Sequence, residues 1–235
     1  LRGGKCAEVV ERALELGYRH IDTAHMYRNQ EAVGEGIRQS GVPRGELFVT
    51  TKIWHDALRH DQVLTQFQSC LDQLKLDYVD LLLIHWPSEA VPLEETLAAF
   101  DEIHASERPR HIGVSNFSSK QVDEAIVLAG APICTNQVEF HPGKFEESLW
   151  RHNTEKGVFV TAHRPLAVGA VTKDTTLAEI GLKHKKSAVQ VALRWLVQRR
   201  IVAIPKSSTE AHLRDNMDIF SWTLTGEEMQ QIDGL

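Results

Sequence analysis

The sequence predicts a parallel (β/α)8 barrel, a TIM barrel whose first strand is missing from the chain. Short apolar runs of β-forming residues alternate from end to end with longer amphipathic stretches, which is the pattern of repeated β-α units. Val79 to Ile84, VDLLLI, is apolar apart from one acid, as a strand covered on both faces requires. Seven such runs follow a leading helix, and eight is the number of strands at which a barrel closes on an interior filled by side chains.

Lys5 to Leu16 reads as the leading helix, with Ala7, Val10, Ala13 and Leu14 at helical spacing. The strands are expected at Arg19 to Thr23, Leu47 to Lys52, Val79 to His85, His111 to Ser115, Ile133 to Val138, Val158 to Ala162 and Ile201 to Pro205. Between them, Ala32 to Ser40, Asp61 to Leu74, Glu94 to Ala105, Lys120 to Leu128, Glu147 to Lys156 and Ser187 to Arg199 read as helices. An open doubly wound sheet is the competing architecture. Its G-x-G-x-x-G phosphate fingerprint is not found, since Gly34 and Gly36 fall inside a helix and follow no strand. No linker, low-complexity tract or repeat interrupts the chain, so residues 1–235 are expected to form one domain.

The 235 residues are 42% hydrophobic and 25% charged, enough for one large core. A net charge of -6 supplies no basic field for a polynucleotide, so nucleic acid is not an expected partner. Cys6, Cys70 and Cys134 are odd in number and far apart, which suggests neither a disulfide framework nor a thiolate metal site and fits a reducing cytoplasm. No run approaches the roughly 20 apolar residues that span a bilayer, and residues 1–17 lack the apolar core of a signal peptide, so a soluble cytoplasmic protein without a membrane partner is expected. None of the 12 histidines pairs with another at i, i+4 and H-E-x-x-H is absent, so metal catalysis is not expected.

Reactive groups of a β/α barrel stand where strands end. Asp22 closes one predicted strand, Tyr27 follows in its loop, Lys52 closes the next strand and His85 the one after. Each alone has an ordinary structural reading, as a cap, a packed ring, a surface cation and a core histidine. Together they make one chemical device. A phenol is a poor acid at neutral pH, and an ammonium beside it stabilises the phenolate, a charge that Lys52 can supply. A carboxylate such as Asp22 keeps a buried ammonium protonated, and an imidazole at His85 can hold a carbonyl oxygen toward the phenol.

GYRHIDTAHMYRNQEAVGEGI, from Gly17 to Ile37, resembles the signature of the aldo-keto reductases, and VTTKIW and LLLIHWP resemble the family's second and third catalytic segments. GVSNF at Gly113 to Phe117, TNQVEFHP at Thr135 to Pro142, ALRWLVQ around Trp195 and IPKSS at Ile204 to Ser208 resemble it in the same order, over essentially the whole chain. The resemblance implies that Asp22, Tyr27, Lys52 and His85 form a catalytic tetrad with Tyr27 as general acid, and that NADPH, with NADH possible, is the cofactor. It further implies that Ser115, Asn116 and Gln137 hold the nicotinamide carboxamide, that Lys206 and Ser207 lie near the adenosine 2'-phosphate, and that Asn216 contacts the adenine. A cation, hydroxyls and helix N-H groups at Lys206 to Thr209 suit an anion, against the plainer reading of Ser208 or Thr209 as a helix cap. GVPRGELFVTTKIW and LLLIHWPS most resemble the bacterial 2,5-diketo-D-gluconate reductases, which implies a small-molecule carbonyl substrate such as 2,5-diketo-D-gluconate, methylglyoxal or a β-keto ester. A monomer is expected on the same resemblance.

Two departures modify that expectation. Where the family has A-Y-S-P-L, this chain has Ala162-His163-Arg164-Pro165-Leu166, so a smaller and titratable ring at His163, with Leu166 beside it, is expected to stack on the nicotinamide and to weaken cofactor binding. His212 stands where many NADP-preferring relatives carry arginine, which predicts a reduced preference for NADPH. The family's closing C-terminal loop, like its first strand, is expected to lie outside this chain. Trp54, Trp86 and Phe117 are the expected substrate pocket, with His25 and Met26 at its rim. Two other functions stay open on the residues alone: a nucleotide-binding protein with little turnover, and a β/α-barrel enzyme acting on a phosphorylated sugar held by Lys206 and Ser207.

Overall fold

The computed structural model describes residues 1–235. Seven parallel strands alternate with helices in the (β/α) barrel class that the hydrophobic pattern predicts, and one helix comes ahead of the first strand. The chain forms two compact units, Leu1–Asn136 and Gln137–Leu235.

The first unit runs α1 (Gly3–Glu15), β1 (His20–Asp22), α2 (Gln30–Gln39), β2 (Phe48–Ile53), α3 (His60–Leu74), β3 (Val79–Ile84), α4 (Leu93–Ala105), β4 (Pro109–Ser115) and α5 (Ser119–Leu128). It ends within β5 (Ile133–Glu139). Strands are hydrogen-bonded to their neighbours in chain order. Every residue of β3 is buried, as its apolar run requires. Gly34 and Gly36 have a packing reason. A Cβ on Gly34 would collide with the backbone of Leu74, and one on Gly36 with the carbonyl of Ala7, so these two positions let α2 lie against α3 and α1.

The second unit runs from the end of β5 through α6 (Glu147–Glu155), β6 (Phe159–His163), a 3-10 segment (Ala167–Lys173), α7 (Thr175–His184), α8 (Ala188–Gln198), β7 (Val202–Ala203), α9 (Glu210–Met217) and α10 (Gly226–Asp233). Its core gathers Phe140, Val160, Ala162, Trp195, Leu196 and Ile232. Trp195 is fully enclosed and donates its Nε1–H to Asp233 Oδ1 at 2.8 Å, while Arg199 pairs with the same carboxylate, so α10 is tied to α8 through one acid. β7 is shorter than the five residues expected. Only Val202 and Ala203 pair in register with β6; the Ile204 N–H still reaches the Ala162 carbonyl at 3.2 Å, and Pro205 has no N–H to continue the ladder.

No helix is long and apolar enough to cross a membrane.

Candidate active site

Strand register in the first unit brings three of the singled-out residues together. Asp22 lies level with Thr50, and Lys52 is two residues beyond Thr50 on the same face of β2. Lys52 lies level with Leu83, so His85, two residues further, emerges on that face just past β3, where its N–H bonds the Ile53 carbonyl at 2.9 Å. Lys52 is 0% exposed, and its ammonium pairs with Asp22 and donates to the Thr23 carbonyl at 2.9 Å. An ammonium enclosed without partners would carry a desolvation penalty of several kcal/mol; the carboxylate and carbonyl offset it.

Tyr27 is brought to this pair by a short 3-10 turn, His25–Tyr27, that follows β1. The turn closes through Tyr27 N–H to the Ala24 carbonyl at 3.1 Å and ends at Arg28 in the left-handed region. A Thr23 Oγ–H to Asn29 Oδ1 bond of 2.9 Å pins the loop across its base. The Lys52 ammonium then stands 5.1 Å from the centre of the Tyr27 ring, and the His85 ring meets that ring edge-on at 5.5 Å. Trp54 also packs edge-on against His85, at 4.8 Å. Tyr27 is 38% exposed, so the phenol sits above a buried charge pair and opens to solvent. Met26, next to Tyr27 in sequence, and Trp86, next to His85, are exposed, while Phe117 is enclosed and instead walls a cavity of about 350 Å³ with Leu58, Ile84 and Thr96.

At the end of β4, Ser115 is buried and Asn116 adopts a left-handed backbone, φ 63°. The Asn116 amide donates to the His85 carbonyl at 2.9 Å and to Ser115 Oγ at 3.0 Å, which ties the ends of β3 and β4 together. These polar groups stand at the strand end next to His85.

In the second unit, Gln137 is buried on β5, His163 ends β6 half-buried, and Leu166 follows it, also half-buried. Lys206 and His212 are exposed, Ser207 is half-buried and Asn216 is buried on α9. Lys206 makes no hydrogen bond or ion pair. Thr209 is the N-cap of α9 without a side-chain cap bond, and its N–H goes to Ser207 Oγ at 3.3 Å, so the plain capping reading is not realised.

The family model of the aldo/keto reductase family matches residues 5–235. This chain belongs to the aldo/keto reductase family. It is 40% identical over 233 residues to the glyoxal reductase of Bacillus subtilis strain 168, covering 99% of this chain and 84% of that protein. A crystal structure bearing the name 2,5-diketo-D-gluconic acid reductase B superposes with a TM-score of 0.98 at 43% identity, covering 100% of this chain and 84% of that one. The Bombyx mori aldo-keto reductase, solved in complex with NADP, superposes with a TM-score of 0.93 at 35% identity, over 98% of this chain and 82% of that one. As a member of an oxidoreductase family that acts on small carbonyl compounds, the chain places its only fully buried lysine beneath a solvent-open tyrosine.

Thr23, Asn29 and the Trp54 contact with His85 were not singled out from the sequence. The threonine is legible only once β1 is known to end at Asp22, because its carbonyl then becomes the first acceptor beyond the strand.

Proposed function

We propose that this aldo/keto reductase reduces glyoxal, methylglyoxal or a related dicarbonyl with NADPH, Tyr27 giving the proton. The observation that carries the reading is the enclosed Lys52–Asp22 pair with Tyr27 above it and His85 against the ring. When bound, a reduced nicotinamide dinucleotide supplies a hydride to the carbonyl carbon. The Tyr27 hydroxyl donates its proton to the carbonyl oxygen, and the bond to hydrogen on the phenol breaks as the alcohol forms. Lys52 stabilises the phenolate left behind, and Asp22 keeps Lys52 charged and aimed at Tyr27. His85, held by Trp54 and by its backbone bond to β2, orients the carbonyl oxygen toward the phenol.

The residues present fit a dinucleotide. Ser115 and Asn116 offer a hydroxyl and an amide for a carboxamide, and the buried Gln137 offers another amide. Lys206 is a cation without a counter-ion next to the Ser207 hydroxyl and the start of α9, a donor set that suits a phosphate. The His163 ring, Leu166, His212 and Asn216 complete the set carried over from the family. The same resemblance supports a cytoplasmic monomer working as one domain, with 2,5-diketo-D-gluconate or a β-keto ester as further substrates.

The test is loss of NADPH absorbance on adding glyoxal or methylglyoxal, for the parent and for Tyr27→Phe. The variant should lose roughly 10²- to 10⁴-fold in kcat while its Kd for NADPH, read by tryptophan fluorescence, stays at the parent value. A variant as fast as the parent would remove Tyr27 from the role.

A further inference from the structure

Glu139, at the end of β5, is surrounded by groups that carry or can carry positive charge. Lys144 Nζ lies 3.1 Å from one carboxylate oxygen, and Arg164 Nη1 and His141 Nε2 lie 3.6 Å and 3.9 Å from the other. The Lys144 hydrogen bond outweighs burial and, with the charges of Arg164 and His163, holds the Glu139 carboxyl below its ordinary range. The acid is therefore ionised, and Lys144 already answers its charge at hydrogen-bonding distance. Arg164 is surplus: 3.6 Å exceeds the reach of a good N–H···O bond, the guanidinium makes no other hydrogen bond, and its side chain is 62% exposed. Lys144, Arg164 and Glu139 together leave one net positive charge, and the arginine side chain that shares it is largely exposed, with donors to spare.

The root of that side chain is fixed. Arg164 has φ 49°, its carbonyl accepts the Ala167 N–H at 2.9 Å, and the buried Pro165 follows it. A donor on a fixed root loses less freedom on binding than one on a mobile loop. It stands one residue past β6, at the strand end where parallel barrels place their reacting partners.

We propose that Arg164 is an oxyanion-binding residue, engaging either a carboxylate borne by the carbonyl substrate or the diphosphate of the dinucleotide. The proposal rests on the reductase reading for its choice of ligands. If the source is a substrate carboxylate, Arg164→Ser lowers kcat/KM for glyoxylate by about tenfold or more, leaves methylglyoxal and the Kd for NADPH unchanged, and Arg164→Lys recovers part of the loss. If the source is the diphosphate, Arg164→Ser raises the Kd for NADPH, read by tryptophan fluorescence, by about tenfold. It then also weakens competition by inorganic pyrophosphate, and both substrates suffer alike. Either pattern supports the assignment. All four quantities within about twofold of the parent, in a parent that binds and turns over, would overturn it. A parent that binds NADPH and pyrophosphate through Arg164 yet reduces neither substrate would sink the reductase reading and leave the oxyanion site standing.

Discussion

Lys52 and Lys206 stand at or just beyond the C-terminal end of a parallel strand, the first on β2 and the second after β7. The first is wholly enclosed, paired with Asp22 and bonded to the Thr23 carbonyl; the second is exposed and has no protein partner. The same ammonium thus stands in opposite surroundings. In the first unit its neighbours are supplied by the fold, so the site exists before any ligand arrives. In the second the fold supplies no neighbour, so the charge contributes little to stability and is available for the phosphate proposed above.

The largest expected effect comes from removing the buried member. Lys52→Met leaves the Asp22 carboxylate facing a space that an ammonium filled, and breaking such a pair costs about 3–5 kcal/mol. The urea unfolding midpoint at neutral pH should fall accordingly, and Asp22→Asn with Lys52→Met should recover part of it because no lone charge remains. A single variant within about 1 kcal/mol of the parent would mean that water reaches the pair and that the contrast with Lys206 is one of degree. Any loss of reductase activity is then separable from unfolding by working well below the midpoint.

A smaller effect, confined to ligand affinity, is expected at the exposed member. Lys206→Ser should leave the unfolding midpoint in place and raise the Kd for NADPH by about tenfold, the lower end for a charge-assisted hydrogen bond at an exposed site. NADH, which lacks the 2'-phosphate, should bind the variant and the parent alike. Equal weakening of both nucleotides would place Lys206 on a part of the dinucleotide common to the two. The exposed His212, where a second fixed cation is lacking, should keep the parent's NADPH-to-NADH ratio of kcat/KM values low.

The two units also differ in how far the sequence makes them legible. In the first, the strands begin or end within a few residues of their predicted limits, and Asp22, Lys52 and His85 fall together because strand register follows the period of two, with Tyr27 joining them on the turn after β1. In the second, α7 and α10 are absent from the periodic reading because each buries a sparse set, Leu177, Ile180 and Gly181 in α7, Glu228 and Ile232 in α10. Their caps were legible all the same: Asp174 accepts from the Leu177 N–H at 2.8 Å, and Thr225 with Glu228 forms a capping box whose T-x-x-E spacing stands in the sequence. Arg164 is visible in the sequence as a substitution, yet its surplus charge emerges only from three-dimensional distances to Glu139 and Lys144. Local patterns report what a backbone buries; they do not report which cation is left over once the ion pairs are made.

The smallest effect distinguishes the units by pH. His20 lies two residues before Asp22 on the same face of β1, with Nε2 3.0 Å from Thr50 Oγ1 and its ring edge-on to Phe48 at 5.0 Å. Burial lowers its pKa, helped by the charge of Lys52 and opposed by Asp22 and Asp80. The folded chain therefore resists protonating His20 where the unfolded chain does not. Stability is full above the ordinary histidine value of about 6.5 and declines as pH falls below it, until the folded pKa is passed. In the second unit Glu228 is lowered instead: burial opposes ionisation, but the Thr225 backbone N–H and His184, 2.8 Å away, outweigh it. Its contribution is intact above the ordinary carboxylate range and is lost only as pH falls through the lowered value. Urea midpoints between about pH 7 and about pH 5 should thus sag in the parent and flatten in His20→Gln, whose amide can still bond Thr50. Glu228→Gln should leave that interval unchanged and alter only the more acidic limb, and a flat parent curve above about pH 5 would show that His20 is hydrated in the folded chain.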